Sequence, residues 1–268
     1  MLISVIMGIY NCESTLDDAI ISILNQTYTD WEFIICDDGS TDNSFLIANK
    51  YKELYGNKFV LLRNEKNKGL SYTLNKCLKH AKGNYIARMD GDDKSLPQRL
   101  EIQLDFLEKH KEYSFVSSGV ICLCGNKMIE RLKKVGSPLK ESYPKENPFV
   151  HPVSMLRKDV YDAVDGYDES NSRIRVEDYD LWIRIYQQGY KGYNLGESLL
   201  IYRDSINLDS KLKFKYRLNE MLVRASAVKK LHLPRYYYIY ALRPVLVGLL
   251  PRKLYLYLHQ KRLNQSKS

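Results

Sequence analysis

Three aspartates stand close together in the segment ARMDGDD, which spans residues 87–93 and continues an apolar stretch. Asp90 and Asp92 are two positions apart, so their side chains point to the same side if the chain is extended. Paired carboxylates of this kind form a hard oxygen site that suits Mg²⁺ or Mn²⁺. The alternative is a simple turn, because Asp and Gly both favour turns, and Asp93 is expected only to support this loop.

A calcium-binding EF-hand is excluded by the residues that follow. In a loop counted from Asp90, Lys94 takes the fifth position, Ser95 replaces the required glycine, and Pro97 takes the eighth position. The acids also follow a predicted strand of a parallel sheet, and ligands bind at the carboxyl ends of such strands. This position favours a metal site over a turn.

Acidic residues occur in two further segments. In CDDGSTD, Asp37 and Asp38 directly follow an apolar run, and carboxylates there can accept hydrogen bonds from a nucleotide base or from ribose hydroxyls. Residues 40–42 can also cap the next helix. In VEDYD, Glu177 and Asp178 begin a predicted helix, where the helix dipole favours acids by about 0.3–1 kcal/mol each. Both structural and chemical roles are open at this point.

The elements that position these acids alternate between strands and helices over the first ninety residues. Four apolar runs are typical of buried strands, namely LISVIMGI, WEFIIC, KFVLLRN and NYIARM. Residues with helical spacing lie between them, which predicts βαβ units and a mostly parallel sheet. Tyr10, Asp37, Asp38, Arg63 and Asp90 follow the strands, so we expect them at one edge of this sheet. The helix before the fourth strand is predicted to stop at Gly83.

The second half is predicted to contain a helix after Pro97, a hairpin that turns at Gly125 and Asn126, and a mobile polar loop from Leu132 to Asn147. A strand in HPVSMLRK, a helix in VEDYDLWIRIYQQG and a strand in GYNLGESLLIYR complete the domain. A change in composition places a boundary near residue 205.

The charge and cysteine content restrict the setting of the protein. The 268 residues have a formal net charge of +9, and five cysteines occur without a C-x-x-C motif, which favours a reducing, cytoplasmic compartment. The N-terminus lacks the basic segment of a signal peptide, and no uncharged apolar run reaches the roughly 18 residues needed to span a bilayer.

The segment 206–268 is basic and rich in tyrosine, and a basic amphipathic helix is predicted in it. Such segments suit the surface of an anionic membrane. The alternatives are a solvated basic face, helices packed on the preceding domain, or nucleic-acid binding. No nucleic-acid-binding motif accompanies the charge, so we expect no nucleic-acid partner.

Four separated segments, taken together, resemble the inverting family-2 glycosyltransferases, which have the Rossmann-like GT-A fold. These segments are residues 3–42, 67–78, 85–93 and 176–184. The resemblance covers roughly residues 1–203 and implies an α/β GT-A domain with a C-terminal basic helical extension. It implies a catalytic domain over 1–205, with a nucleotide-binding half at 1–93 and an acceptor-binding half at 94–205.

The resemblance also implies roles for individual residues. It assigns nucleotide binding to Tyr10, Asp37 and Asp38, with Glu13 and Arg88 as supports. Asp92 is implied as a direct ligand of Mn²⁺ or Mg²⁺, and Asp90 as a ligand of the metal or the ribose.

In the acceptor half, Asp178 is implied as the catalytic base, since an inverting transfer needs one carboxylate to take the proton of the acceptor hydroxyl. Glu177 and His151 are assigned to the acceptor or diphosphate site. A His before a Pro is otherwise most often structural.

These assignments predict transfer of a hexose from a UDP-sugar to a saccharide, linked to a polyprenyl diphosphate, in bacterial surface polysaccharide biosynthesis. The expected location is the cytoplasmic face of the cell membrane. The alternatives are a non-catalytic membrane-bound sugar-nucleotide binder and a sugar nucleotidyltransferase. The latter should have a Gly-rich loop after the first strand, where this chain has GIYNCES.

Overall fold

The first half of the computed structural model builds the predicted alternation of strands and helices. The structure describes residues 1–124, 127–203 and 213–249. The elements of the first half are β1 (Ile3–Ile9), α1 (Glu13–Leu24), β2 (Trp31–Asp37), α2 (Ser44–Tyr55), β3 (Phe59–Arg63), α3 (Leu70–Leu78) and β4 (Tyr85–Asp90).

The second half contains more strands, and its described part ends with two helices. Its elements are β5 (Lys94–Ser95), α4 (Arg99–Lys109), β6 (Phe115–Cys124), β7 (Lys127–Arg131), β8 (Met155–Arg157), α5 (Lys158–Ala163), α6 (Glu177–Gln187), β9 (Gly192–Arg203), α7 (Phe214–Lys230) and α8 (Tyr238–Gly248). The hairpin of β6 and β7 is present, and its predicted turn at 125–126 lies outside the described residues.

All the strands belong to one sheet of order β3-β2-β1-β4-β8-β6-β9-β5, with β7 paired to β6. Strands β3, β2, β1 and β4 are mutually parallel, and β6 and β9 are parallel to each other. Strands β8, β7 and β5 pair antiparallel with their neighbours. Residues 1–93, the predicted nucleotide-binding half, therefore contain the part of the sheet in which all strands are parallel.

Both faces of the sheet are covered, which explains the continuous apolar runs of its central strands. Along β1, Ile3, Val5 and Met7 pack into the hydrophobic cluster that includes α1 and α4. Ile6 points to the other face, where it joins a cluster that includes α3 and α6. The period of two residues in a strand produces this division.

Two predicted details are wrong. Helix α3 ends at Leu78 and not at Gly83, and Gly83 is absent from the glycines with positive φ. A Cβ at Gly83 would lie 2.5 Å from the backbone nitrogen of Ser4, so glycine is required there by close packing against β1. The segment that begins at His151 starts as a 3-10 turn, and β8 begins only at Met155.

Helix α7 packs against α6. Val223, Ala227 and Val228 are buried in the same hydrophobic cluster as Trp182 of α6. Arg224 donates a hydrogen bond of 2.9 Å from Nη1 to the carbonyl oxygen of Pro144. The predicted boundary near 205 lies outside the described residues and stays a prediction. Among the helices of the described ranges, none combines the length and the hydropathy needed to cross a membrane.

Candidate active site

The carboxyl ends of β1, β2 and β4 meet at one edge of the sheet. In the strand register, Ile9 of β1 pairs with Asp37 of β2, and the preceding Gly8 pairs with Asp90 of β4. The two acidic segments therefore flank the end of β1. Tyr10 follows directly and is 48% exposed, so its ring is available at the same edge.

Asp37 and Asp38 are both buried and both hydrogen-bonded to protein groups. Asp37 forms an ion pair of 3.1 Å with Nε of Arg63. Asp38 accepts hydrogen bonds of 2.8 Å from Nδ2 of Asn64, 2.8 Å from the amide of Lys68 and 2.9 Å from the amide of Gly69. Asp38 therefore fixes the segment that enters α3.

Glu13 connects the first turns of α1 and α2. Its Oε2 accepts hydrogen bonds of 2.9 Å from both the amide and the side chain of Asn43. The neighbouring Asn11 has a positive φ of 48°, and its Oδ1 accepts a hydrogen bond of 2.9 Å from the amide of Thr41. An asparagine directly after a strand, as Asn11 is, is a sequence signal for this backbone conformation.

Asp90, Asp92 and Asp93 form a cluster in which one oxygen of each residue lies within 4.8 Å of the others. Burial, together with the Asp90 carboxylate, raises the pKa of Asp92. Burial and the charges of Asp90 and Asp92 raise the pKa of Asp93 to about 8. The buried Oδ2 of Asp93 has no hydrogen-bond partner. Three crowded carboxylates, one of which has a buried oxygen without a hydrogen-bond partner, fit Mg²⁺ or Mn²⁺.

Arg88 lies beneath this cluster and holds Asp90. Its Nη1 donates to Oδ2 of Asp90 at 2.6 Å, and its Nη2 contacts the other carboxylate oxygen. This bidentate geometry fixes the plane of the carboxylate. Burial opposes the charge of Arg88, but Asp90, Tyr167 and Asp93 together offset this effect and raise the pKa of the guanidinium.

Asp178 lies in the first turn of α6, and both of its oxygens accept hydrogen bonds. Nδ2 of Asn147 donates to Oδ2 at 2.7 Å, and the amide of Tyr179 donates to Oδ1 at 2.8 Å. Burial raises the pKa of Asp178, although these two bonds oppose the rise. Burial and the charge of Asp178 raise the pKa of Glu177 to about 7. Because the charge of Asp178 disfavours ionisation of Glu177, the two acids do not titrate independently.

Asp180 differs from these two acids. It is buried and forms ion pairs of 2.8 Å with Arg173 and 2.6 Å with Arg184. Its carboxylate connects α6 to the preceding loop, so its role is structural.

His151 is buried behind the edge of the sheet. Its Nε2 forms a hydrogen bond of 2.7 Å with the hydroxyl of Tyr167, which lies 3.0 Å from the hydroxyl of Tyr161. Burial, and to a lesser degree the charge of Arg88, holds the pKa of His151 well below its ordinary value. The imidazole is therefore neutral, and its assignment to the acceptor or diphosphate site stays a prediction.

Comparison with known sequences identifies relatives over the whole chain. The family described as glycosyl transferase family 2 matches residues 4–164. EpsE of Bacillus subtilis (strain 168), which carries the name of a glycosyltransferase, is 40% identical over 99% of this chain and 95% of its own length. The UDP-Glc:alpha-D-GlcNAc-diphosphoundecaprenol beta-1,3-glucosyltransferase WfgD of Escherichia coli is 32% identical over 92% of this chain and 94% of its own.

Solved structures share the fold. TarS 1-349 of S. aureus, in complex with UDP-GlcNAc, superposes with a TM-score of 0.69 at 20% identity, over 92% of this chain and 72% of that one. The mannosyltransferase PcManGT of Pyrobaculum calidifontis, in complex with GDP-Man and Mn²⁺, has a TM-score of 0.68 at 16% identity, over 92% and 73%. The predicted GT-A fold is confirmed. The chain belongs to glycosyl transferase family 2, a family of sugar-transferring enzymes.

Proposed function

We propose that the protein is an inverting glycosyltransferase that moves a hexose from a UDP-sugar to a saccharide carried on a polyprenyl diphosphate. The observation that carries this proposal is the presence of two separate acidic sites around Arg88. The Asp90 carboxylate pairs with Arg88, and the charge of Arg88 also acts on Asp178 and Glu177. The site that contains Asp90 suits a metal ion, and the site that contains Asp178 and Glu177 suits a catalytic base. The name of WfgD, which specifies a UDP-linked donor and a diphosphoundecaprenol acceptor, supports the same substrate classes.

Asp178 is the proposed catalytic base. The oxygen of the acceptor hydroxyl forms a bond with the anomeric carbon, and the bond from that carbon to the diphosphate oxygen breaks. The hydroxyl proton passes to the carboxylate of Asp178, and UDP leaves with the bonding electrons. Because this single displacement occurs from the face opposite the leaving group, the configuration at the anomeric carbon inverts.

The acid cluster has the donor-side role in this proposal. Asp90, Asp92 and Asp93 would hold Mg²⁺ or Mn²⁺, which supplies neutralisation of the charge on the departing diphosphate. Arg88 fixes Asp90. Tyr10, with Asp37, would contact the nucleotide base or ribose.

The proposed location is the inner face of the cell membrane, where a polyprenyl-linked acceptor is anchored. The proposed setting is bacterial surface polysaccharide biosynthesis, in line with the name of another relative, the O-antigen biosynthesis glycosyltransferase WbnJ of Escherichia coli. In this arrangement residues 1–93 bind the donor, and residues 94–205 bind the acceptor.

A donor screen tests the proposal. Purified protein with Mn²⁺ is mixed with UDP-glucose, UDP-galactose, UDP-N-acetylglucosamine or GDP-mannose, and with a water-soluble analogue of a diphosphate-linked saccharide. We expect one UDP-sugar to raise the unfolding temperature and to be consumed together with the acceptor, with inverted anomeric configuration in the NMR spectrum of the product. Binding without any turnover would support the non-catalytic binder. Retained configuration would refute the single displacement.

Asn147 is expected to position Asp178 and to favour its ionised form. Asn147→Ala removes the donor to Oδ2, so the pKa of the acidic pair rises further. Because the base must be deprotonated, the acid limb of the kcat profile should shift to higher pH. A lost hydrogen bond to a charged group costs about 1.5–3 kcal/mol, so kcat at pH 7 should fall at least about tenfold. The KM of the donor should change by no more than about twofold if the donor site is intact.

Steady-state rates measured between pH 5.5 and 9 check this prediction. Asn49→Ala, which removes an exposed bond of 2.7 Å to Glu53 on α2, is the matched control and should leave the profile unchanged. An unshifted acid limb in Asn147→Ala would show that Asn147 does not act through the base.

A further inference from the structure

Helix α8 turns its large aliphatic side chains away from the protein. Ile239, Leu242, Leu246 and Leu249 are between 51% and 68% exposed. Their spacing of three, four and three residues places them on one side of the helix. The residues that α8 buries are the small Ala241 and Pro244. A helix packed only for stability of the fold would have the opposite arrangement.

Helix α7 extends this surface. Phe214, Leu218 and Leu222 recur every four residues, and all three are exposed. The rows on α7 and α8 approach each other at one end, where Gly248 lies close to the ring of Phe214. A Cβ added to Gly248 would lie 3.4 Å from that ring. We call these seven side chains the outer apolar face. A group of exposed apolar side chains on two neighbouring helices marks a candidate site of interaction.

The charge of the chain segment that contains the outer apolar face indicates what covers it. Residues 213–268 contain 13 of the 41 Lys and Arg residues and one of the 32 Asp and Glu residues. Their net charge is therefore +12, and the rest of the chain has a net charge of −3. Lys213, Lys215, Arg235 and Arg243 are exposed on or beside the two helices.

Exposed tyrosines complete the surface. Tyr236 and Tyr238 lie at the start of α8 and are 67% and 41% exposed. Tyrosine is enriched where one end of the ring meets hydrocarbon and the other meets water. Aliphatic, aromatic and basic side chains thus occur on one surface, as in helices that lie in the plane of a membrane interface.

We propose that the outer apolar face of α7 and α8 inserts into the interface of an anionic phospholipid bilayer. A second copy of the chain is disfavoured as the partner, because two such surfaces would bring like charges together. This inference names the membrane-binding surface of the proposed enzyme, and only the link to a lipid-linked acceptor depends on the proposed function. Binding to lipid itself can be measured without turnover.

Vesicle co-sedimentation of the full-length protein tests the inference. The probes are vesicles of phosphatidylcholine alone and vesicles with 30% phosphatidylglycerol. We expect binding to the anionic vesicles and at least about tenfold weaker binding in the variant Ile239→Ser/Leu242→Ser/Leu246→Ser. Arg235→Gln/Arg243→Gln should weaken binding and reduce its dependence on salt. Leu46→Ser/Leu54→Ser changes equally exposed leucines on α2 and should bind as the wild type does.

Further measurements separate the possible outcomes. Circular dichroism and the unfolding temperature check that each variant is folded. Equal binding of the wild type and the triple variant, or no binding to either vesicle, would overturn the proposal. A dimer in light scattering that the triple variant dissociates, without vesicle binding, would show instead that a second copy covers the face. Lipid binding without transfer to a soluble acceptor would uphold this inference while the proposed function fails.

Discussion

Replacing Asp178 by asparagine is expected to lower kcat for sugar transfer by about 10²- to 10⁴-fold, the usual contribution of a general base. The substitution keeps the shape of the side chain and one acceptor oxygen, so the fold should be preserved. The acceptor hydroxyl then has no carboxylate to receive its proton. UDP binding, measured by titration calorimetry, should stay within about twofold of the wild type, because Asp178 lies on α6 and the acid cluster follows β4.

The matched control for this experiment is Asp159→Asn, which removes an exposed carboxylate from the first turn of α5. It should transfer sugar at the wild-type rate. Strong transfer by Asp178→Asn would remove Asp178 from the role of base. A loss of both transfer and UDP binding would show that the substitution disrupts the site as a whole and does not merely remove the base.

Asp92→Asn is expected to have the second large effect. The acid cluster carries negative charge that burial makes costly, as the raised pKa values of Asp92 and Asp93 indicate. A divalent cation held by hard oxygen ligands stabilises developing negative charge by several kcal/mol. Loss of one ligand should therefore lower kcat/KM by at least about a hundredfold.

Metal removal gives a direct test of the same site. Transfer by the wild type should disappear in EDTA and return with excess Mn²⁺, and Asp92→Asn should need a much higher Mn²⁺ concentration for any recovery. Asp105→Asn, on the exposed side of α4, should titrate with Mn²⁺ like the wild type. Full wild-type activity in EDTA would contradict a metal role for the acid cluster.

The sequence was sufficient to predict the parallel half of the sheet and the acids at its edge. Strands covered on both faces are mostly apolar, so β1, β2 and β4 appear as apolar runs in which polar residues such as Ser4, Glu32 and Arg88 are isolated. Parallel strands bring their carboxyl ends together, and the strand register does place Asp37 and Asp90 beside the end of β1. Local pattern and global topology agree in this part of the chain.

The contacts of Asp178 could not be predicted in the same way. Asn147 lies 31 residues before Asp178 in a polar segment without periodicity, so no local pattern connects the two. The exposed face of α8 could not be predicted either. Composition shows that the tail is basic and aromatic, but it does not show which side of the helix packs inward. In the structure Ala241 and Pro244 are buried, and they define which side of α8 is exposed.

Helix α7 has one face in the catalytic core and the other in the outer apolar face. Val223 and Ala227 pack with Trp182, and Leu218 and Leu222 face outward. A single helix, about 10 Å in diameter, would then be the whole spacer between the bilayer and α6, whose first turn holds Asp178. The thickness of α7 would then set the distance between the lipid surface and the reaction centre. A sugar on a membrane-anchored diphosphate would have to extend only this short distance to reach that centre.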